Sequence, residues 1–451
     1  MKQLIAASTL YQCISLAAMI DDGSLPPADE RILVLAGSAH QPELNERIQE
    51  TPGFERIAAR FDRIVDLGAL LWPRRPGQFK PREEELALWE TLLRSHWQLG
   101  SGPLQLIVES IQVDPAIALC RIFGDATVWV HSDGLMSYGP TRNAVSLSVA
   151  QRLDGIIYVD LVPGLHPQLL AEHQPTMVAV ERPRLKAVIE DVAAGISVPG
   201  ESGVSPDGTA LILGQYLSDL GILTVEEEDL LHRTMLTQAA NHGIRHCVFK
   251  PHPSAGPAAT QHMRQTAKRL GISISVLESP VLAEVVMEKV QPDLVVSCFS
   301  TALITAKYVY GIETMAIGTE MLLERLTPYQ NSNRIPVTIV DAIMVKGFEP
   351  PGDRPGSQPV EQSLQALVEA VAYCMQPRIL ASARASTISF LEGAGRDSLR
   401  YFKRLRLAKL ELPAVEYPKE PASFRSLRVS GRGAVKRWLR PLRNQSERRG
   451  A

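Results

Sequence analysis

Short apolar runs rich in aliphatic and β-branched residues recur along the first part of the chain, separated by stretches with a helical pattern. Continuous apolar runs of this length are typical of strands buried on both faces of a parallel sheet, with helices as the crossovers. The predicted strands are residues 4–7, 32–35, 64–67, 104–108, 126–130 and 156–159. Two clear helices are predicted between them, at 82–99 and 115–123.

The same rhythm returns further along the chain, with strands predicted at 210–213, 246–249, 274–277, 294–297 and 313–317. A chain of 451 residues exceeds what one hydrophobic core usually serves, so we expect two doubly wound α/β domains. Proline and glycine punctuate residues 174–207 around one predicted helix at 184–193, which indicates a hinge. The predicted divisions are an N-terminal domain at 1–174, a hinge at 175–207, a second domain at 208–348, a loop with C-terminal helices at 349–418 and a basic tail at 419–451.

Composition is that of an ordinary globular protein, with 45% hydrophobic and 21% charged residues, which excludes a disordered or fibrous chain. The five cysteines are far apart and form no CxxC pair, so neither a zinc knuckle nor a disulfide framework is indicated. Polar residues interrupt the apolar first 20 residues, which favours a strand and helix over a signal peptide. We therefore expect a soluble protein of the cytosol.

Charge is distributed unevenly although the formal net charge is only −2. Residues 419–451 contain ten Lys or Arg and two Glu, a net +8, which leaves −10 for the remainder. Apolar residues are interleaved with these cations, so one interpretation is a segment that lies on an anionic membrane surface. The other is a solubilising tail or one that pairs with the acidic body. No nucleic-acid-binding module accompanies the charge, and nucleic acid is not expected as a partner.

The predicted strand at 246–249 runs directly into Lys250-Pro251-His252-Pro253. Open α/β sheets bind ligands at the carboxyl ends of their strands, and the prolines hold His252 outside regular structure. Lys250 and His252 would suit a phosphate through charge-assisted hydrogen bonds. A second His-Pro pair, His166-Pro167, has no preceding cation and is interpreted as a loop.

Two further strand ends in the second half offer polar groups. Ser300 and Thr301 follow the strand at 294–297 and precede a helical run, where hydroxyls and backbone N–H groups can hold an anion or simply cap the helix. Gly214 and Gln215 close the strand at 210–213, and the glycine permits close approach of a ligand to the backbone.

In the first half, the strand at 126–130 ends in His131-Ser132-Asp133-Gly134. An acid directly after a strand can face a cleft and act as a general base, here on a turn that Gly134 makes possible. Asp-Gly is also a very common turn pair, so this segment alone does not establish a site.

Together, these motifs resemble those of bacterial sialyltransferases, and most closely the α-2,8-polysialyltransferase-like group. Ser132-Asp133-Gly134 resembles the acidic-acidic-glycine motif, His252-Pro253 the HP motif, and Ser300-Thr301 the paired-hydroxyl motif. Similar stretches are Leu211 to Leu217 and Ser8 to Tyr11, and the resemblance spans residues 1–330.

The resemblance implies a GT-B enzyme, in which two Rossmann-like domains face a cleft and an inverting, metal-independent transfer uses a CMP-activated sugar. Carried across by position, Asp133 would deprotonate the acceptor, and His252 would bind the donor phosphate and assist the departure of CMP. Gly214, Gln215, Lys250, Pro253, Ser300 and Thr301 would bind the donor. The sequence departs from the motif at Ser132, so the base is expected at Asp133, or at His131, or catalysis is absent.

The function expected from sequence is therefore transfer of sialic acid, or a related acidic sugar, from CMP to a glycan or lipid-linked acceptor without a cofactor. Two alternatives stay open. Another GT-B transferase would use a donor such as CMP-Kdo, and a degenerate homologue would bind nucleotide-sugar or glycan without turnover.

Overall fold

A computed structural model describes residues 1–37, 47–198, 208–251, 257–277, 281–352 and 363–413. Each of two parallel sheets is covered by helices on both faces. The α/β class and the two Rossmann-like domains predicted from sequence are confirmed. The HP motif at His252-Pro253 and the basic tail lie outside the described residues.

The first domain is built on a seven-stranded sheet with the order β3-β2-β1-β4-β5-β6-β7, in which every pairing is parallel. Its strands are β1 Lys2–Ala7, β2 Glu30–Leu35, β3 Arg63–Asp66, β4 Leu104–Val108, β5 Thr127–Ser132, β6 Leu153–Val159 and β7 Thr176–Val180. Its helices are α1 Leu10–Asp21, α2 Phe54–Ala58, α3 Leu67–Leu71, α4 Leu86–His96, α5 Ala116–Ile122, α6 Leu147–Ala150 and α7 Arg182–Ala193.

The second domain contains a five-stranded parallel sheet with the order β10-β9-β8-β11-β12. Its strands are β8 Thr209–Leu213, β9 His246–Lys250, β10 Ser273–Val276, β11 Leu294–Ser297 and β12 Glu313–Ala316. The helices that follow are α8 Val225–Asn241, α9 Pro257–Leu270, α10 Ala283–Val290, α11 Thr301–Thr305, α12 Thr319–Arg325 and α13 Arg334–Met344. C-terminal to these lie α14 Leu364–Met375, α15 Arg384–Gly393, α16 Arg396–Leu399 and α17 Arg404–Lys409.

Burial explains why the apolar runs form the central strands. Every residue of β4, β8 and β11 is buried, as are five of the six residues of β1. In each sheet the direction in which strands are added reverses once, between β1 and β4 in the first and between β8 and β11 in the second. Ligands of open α/β sheets bind in the crevice at such a reversal, so the topology marks one such place in each domain.

The hinge predicted at 175–207 is too long, because β7 and α7 within it belong to the first domain. β7 pairs with β6 from Gly155↔Thr176 to Val159↔Val180, and α7 packs against α1 and α2. β7 is an edge strand with only Val180 fully buried, although residues 177–180 are all apolar. This short run lies between Pro175 and Pro183, so the proline and glycine pattern of a hinge masks the strand in the sequence.

The end of the described chain returns from the second domain to the first. Gly352 N donates to Pro163 O at 2.8 Å, and Gln376 Nε2 donates to Arg142 O at 3.0 Å. Gly164 has a φ of +70°, and a Cβ atom there would lie 2.9 Å from Gly352 N. The two chain segments approach this closely only because both positions are glycine.

Asp341 on α13 holds the C-terminal helices onto the second domain. Its side chain is fully buried and accepts hydrogen bonds from Thr319 Oγ1 at 2.6 Å and Tyr401 OH at 2.9 Å, with Arg400 Nη2 at 3.3 Å. A buried carboxylate is stable only with such partners. None of the helices within the described residues is long and apolar enough to cross a membrane.

Candidate active site

A cavity of about 490 Å³ lies where the carboxyl ends of the two sheets face each other. This volume is within the range of about 300–1,000 Å³ that is typical of small-molecule sites. Its walls come from both domains. The lining residues are Tyr11, Asp133, Gly134, Leu135 and Met136 of the first domain, and Leu213, Gly214, Gln215, Tyr216, Leu217, Leu220, Lys250, Pro251, Val281, Leu282, Ala283, Glu284, Phe299, Ser300, Thr301, Ala302, Asn333 and Pro336 of the second.

Asp133 lies directly after β5 and lines the cavity. Burial, followed by the negative charge of Glu109, raises the pKa of its carboxyl to about 6. The Gln12 side chain acts in the opposite direction by hydrogen bonding that favours the charged form. A carboxylate with a pKa in this range is a stronger base than an ordinary aspartate and is still mostly ionised at neutral pH.

A glycine is needed at position 134 because there is little space for a side chain, and not because the backbone turns there. Its φ is −163°, an extended conformation that any residue adopts, so the expectation of a glycine-dependent turn is corrected. A Cβ atom at Gly134 would lie 3.2 Å from Thr301 Oγ1 of the second domain. Leu135 N also points at this hydroxyl, at 3.5 Å. Gly134 and Thr301 are 167 positions apart in the sequence. The motifs that contain them thus meet across the cleft between the two domains.

His131 does not line the cavity, because it is fully buried within β5. Its Nε2 atom lies 2.7 Å from Ala6 O and must therefore carry the hydrogen, since a carbonyl only accepts. The Nδ1 atom has no partner among the described residues. Burial lowers the pKa of the ring, so His131 is neutral and enclosed, a position that does not suit the alternative base.

The loop after β8 is held in shape by buried polar groups on α8. Glu228 accepts hydrogen bonds from Leu217 N at 2.7 Å and Ser218 N at 3.1 Å, and Gln215 N donates to His232 Nε2 at 3.4 Å. Gln215 Oε1 accepts from Phe299 N at 3.0 Å and so connects the ends of β8 and β11. Gly214 and Gln215 lie in the cavity wall as expected, with the Gln215 carbonyl already engaged in that connection.

Ser300 and Thr301 also lie in the wall, at the start of α11. Ser300 Oγ accepts from Ala302 N at 3.3 Å and caps the helix, the commoner of the two roles considered for it. Thr301 instead faces Gly134. The paired hydroxyls therefore have separate structural tasks, and both remain adjacent to the cavity.

Lys250 is the one cation among the described residues that line the cavity, and Glu284 of α10 lies in the same wall. Burial lowers the pKa of Lys250, and the charge of Glu284 raises it. Burial raises the pKa of Glu284 to about 7, against the opposing effect of Lys250. The negative charge of this second carboxyl is thus only partly developed at neutral pH.

Tyr11 of α1 extends this cluster toward the first domain. Its hydroxyl is buried and has no hydrogen-bond partner among the described residues. Burial raises its pKa well above the ordinary value, with further contributions from Glu284 and Asp133. The Tyr11 side chain is therefore neutral and lies near acids of both domains, in the wall of the cavity.

The structure thus brings Asp133, Gly214, Gln215, Lys250, Ser300 and Thr301 to one cavity. His252 and Pro253 lie outside the described residues, although Pro251 lines the wall. Glu284 and Tyr11 were missed as site residues. Tyr11 belongs to the stretch Ser8 to Tyr11, which resembles the family but carries no chemical signal of its own. Glu284 follows no strand directly, so its position in the sequence does not mark it as a site residue. Within the described chain, no cluster of three or more His, Cys, Asp or Glu could hold a metal ion.

Comparison with known proteins finds a family. The family model described as "Alpha-2,8-polysialyltransferase" matches residues 3–319. This range contains both sheets and every residue assigned to the cavity except Asn333 and Pro336. No curated protein matches the chain in sequence.

Solved structures resemble the chain only distantly. The GT-B domain of a sialyltransferase from Photobacterium damselae aligns with a TM-score of 0.41 and 12% identity, over 76% of this chain and 96% of that one. A 2,6-sialyltransferase from Photobacterium sp. JT-ISH-224, in complex with CMP and lactose, aligns with a TM-score of 0.40 and 12% identity, over 76% of each chain. MurG from Acinetobacter baumannii aligns with a TM-score of 0.38 and 10% identity, over 91% of this chain and 99% of that one.

Replacement of Gly134 by valine should hold the two domains apart. Its side chain would occupy the space of Thr301, and overpacking of this kind typically costs about 1–3 kcal/mol. We expect a larger radius of gyration by small-angle X-ray scattering, with Gly134→Ala intermediate. The double variant Gly134→Val/Thr301→Ala should recover the compact form.

Gly124→Ala is the matched control, because the nearest atom to a Cβ there is 3.9 Å away and lies within the first domain. A Gly134→Val protein as compact as the wild type would show that this contact does not limit closure.

Proposed function

Because the chain belongs to the alpha-2,8-polysialyltransferase family, it is a sialyltransferase-like glycosyltransferase, and we propose that it transfers sialic acid or a related acidic sugar from a CMP donor. The proposed acceptor is a glycan or lipid-linked glycan, such as a growing surface polysaccharide. One observation supports this most strongly: a single cavity joins a base-like carboxylate of one domain to a cation and two hydroxyls of the other.

In the proposed reaction, Asp133 accepts the proton of the acceptor hydroxyl. The acceptor oxygen forms a bond to the anomeric carbon from one face, while the bond from that carbon to the phosphate oxygen breaks on the other. CMP departs with the electron pair, and the configuration inverts. Such a transition state carries positive charge on the sugar and negative charge on the leaving phosphate.

Groups of the second domain would stabilise the leaving phosphate. Lys250 supplies a positive charge beside the switch-point crevice, and Ser300 and Thr301 supply hydroxyls. His252 is proposed to donate a proton or a hydrogen bond to the phosphate, on the strength of the motif resemblance. Fixed donors of this kind are effective because they need no rearrangement when the charge develops.

The cavity can accept an anionic donor because one of its two acids, Glu284, is readily neutralised. A CMP-activated acidic sugar brings a phosphate and a carboxylate, which two fully ionised acids would repel. The pKa of Glu284, raised to about 7, means that this residue can take up a proton when an anion enters. In its protonated form it would donate a hydrogen bond instead of opposing the donor.

The alternative donor CMP-Kdo also joins an anionic keto-sugar to CMP, so the same cavity chemistry accommodates it. Incubation with each donor separately, followed by product analysis, distinguishes the two. The alternative of a degenerate homologue was motivated by Ser132, and its signature would be CMP binding without turnover of either donor.

Replacement of Asp133 by asparagine should reduce turnover by about 10²- to 10⁴-fold, because a general base contributes this much to rate. CMP affinity should be retained, since the proposed donor contacts lie in the second domain. In the wild type, activity should be lost as the pH falls through about 6, where Asp133 becomes protonated, and Asp133→Asn should lack this limb. The measurement is kcat/KM against pH.

Asp125→Asn is a matched control, since this exposed acid lies before the start of β5, at the opposite end of the strand. Retained activity in Asp133→Asn, together with loss of activity in His131→Ala, would identify His131 as the base instead of Asp133.

Replacement of His252 by alanine should weaken CMP binding and abolish transfer, because His252 is proposed to contact the donor phosphate. Calorimetry with CMP measures the first effect and a transfer assay the second. The control is His166→Ala, at the exposed histidine of the second His-Pro pair, which should change neither.

The same transfer assay should be unaffected by EDTA, as proposed for a metal-independent reaction. Unchanged CMP affinity in His252→Ala would remove the residue from the donor site, and full dependence on added Mg²⁺ or Mn²⁺ would contradict the proposed chemistry.

We further propose that the enzyme works at the cytoplasmic face of the membrane, held there in part by its basic segment at 419–451. Removal of these residues should leave transfer to a soluble acceptor near normal and reduce binding to anionic vesicles, most visibly at low salt. Vesicle co-sedimentation with anionic and neutral lipids measures this. If the intact protein ignores anionic vesicles at low ionic strength, the segment has no membrane role.

A further inference from the structure

The first-domain motif has one acid where the resembling family motif has two. The missing position is Ser132, the last residue of β5, whose side chain is buried and carries no charge. A single half-buried aspartate at a strand end would ordinarily have less basic strength than one with a neighbouring carboxylate, since a like charge nearby favours the protonated form. A second negative charge near Asp133 would have to come from another element of the fold.

Glu109 lies beside the motif in space. It directly follows β4, the neighbour of β5, and the register Val108↔Val130 places Glu109 level with His131. β4 and β1 flank the reversal of strand order in the first sheet. Glu109 therefore lies at the switch-point crevice of this domain, one strand away from Asp133.

The carboxylate of Glu109 is fixed by two hydrogen bonds from residues at the end of β1 and the start of α1. Ser8 Oγ donates to Oε1 at 2.8 Å, and Gln12 Nε2 donates to Oε2 at 2.6 Å. Gln12 Oε1 in turn accepts from Ser8 N at 2.7 Å. Ser8, Gln12 and Glu109 thus form a closed network that keeps one carboxylate oriented at the crevice.

We propose that Glu109 replaces the missing first acid of the motif, acting from the neighbouring strand as a positioning residue for Asp133. It does not line the cavity and is not assigned contact with substrate. Its negative charge strengthens Asp133 as a base. Its bond to Gln12 also orients an amide whose hydrogen bonding to Asp133 favours the charged form of that carboxyl. The inference rests on the proposed function, in which Asp133 is the general base.

Electrostatics agree with this geometry. Glu109 is the neighbouring charge that raises the pKa of Asp133, second only to burial, and it also acts on His131. Other titratable groups lie around Asp133 in the same site. A substitution of Glu109 leaves all of them in place, so a change in the pKa of Asp133 can be attributed to Glu109. These are Tyr11 and Cys13 of α1, His131 of β5, and Lys250 and Glu284 across the cavity.

The test is the pH dependence of kcat/KM in Glu109→Gln, which keeps the shape of the side chain and removes its charge. We expect the acidic limb to move to lower pH and the plateau to fall by less than about tenfold, because a weaker base slows proton transfer only in part. Glu109→Asp, which keeps the charge, should return the limb toward the wild-type position. Asp125→Asn removes an equal charge at the far end of β5 and should leave the limb in place.

Two outcomes would overturn the proposal. An unmoved limb in Glu109→Gln would show that the residue does not act on Asp133. A loss as large as that of Asp133→Asn would make Glu109 the base itself.

A second measurement separates this inference from the proposed function. The carboxyl of Asp133 can be titrated by NMR after ¹³C labelling of aspartate, with Asp133→Asn to assign the signal. If no donor is turned over, the proposed function fails, and the titration still decides the inference: its midpoint should be lower in Glu109→Gln than in the wild type, and an equal midpoint would refute the coupling.

Discussion

Close packing of the two domains, at α7 against α10 and at Gly134 against Thr301, brings the carboxyl ends of the two sheets together around the cavity. A parallel sheet exposes its strand-end loops on one side only, so two such sheets can share a site only if these sides face each other. Here the facing loops approach until no Cβ atom fits between them without displacement. The same packing fixes how Asp133 lies relative to the groups that would hold a leaving phosphate, and Gly134 leaves room for it on the side of the first domain.

Within this enclosure, removal of water is the dominant electrostatic effect. Burial is the largest cause of the raised pKa values of Asp133 and Glu284, and of the lowered pKa of Lys250. All three groups are therefore shifted toward their neutral forms. A cavity of this kind accepts charge from a ligand at lower cost than one already filled with ionised side chains, because protons can be exchanged as the ligand enters.

Sequence alone identifies the strands and the residues that follow them, because a strand buried on both faces has an unmistakable apolar run. For this reason the sequence identifies Asp133, Lys250 and Ser300 as residues at or just after strand ends. It does not show that the three lie close together. β7 was missed although it carries a short apolar run, because that run lies between Pro175 and Pro183 in a segment with the composition of a hinge. Glu284 enters the cavity only because the fold places the start of α10 beside the end of β9, and the need for a glycine at position 134 comes from a residue of the other domain. Neither can be deduced from the neighbouring sequence. Glu109 did have a readable signal, as an acid directly after a predicted strand.

One apolar core passes through both domains, and a second covers the other face of the first sheet. The shared core contains Ile5 and Leu33 of the first sheet, Leu211 and Val248 of the second, and Leu391 of the C-terminal helices, while α7 of the first domain packs against α10 of the second. The chain also returns to the first domain at the contact of Gly352 with Pro163. The shared core and this contact couple the stability of one domain to that of the other. Wide opening of the cleft would expose part of that core to water, at a free-energy cost of about 25 cal/mol for each Å² of apolar surface. We therefore expect the two domains to unfold together and not one after the other.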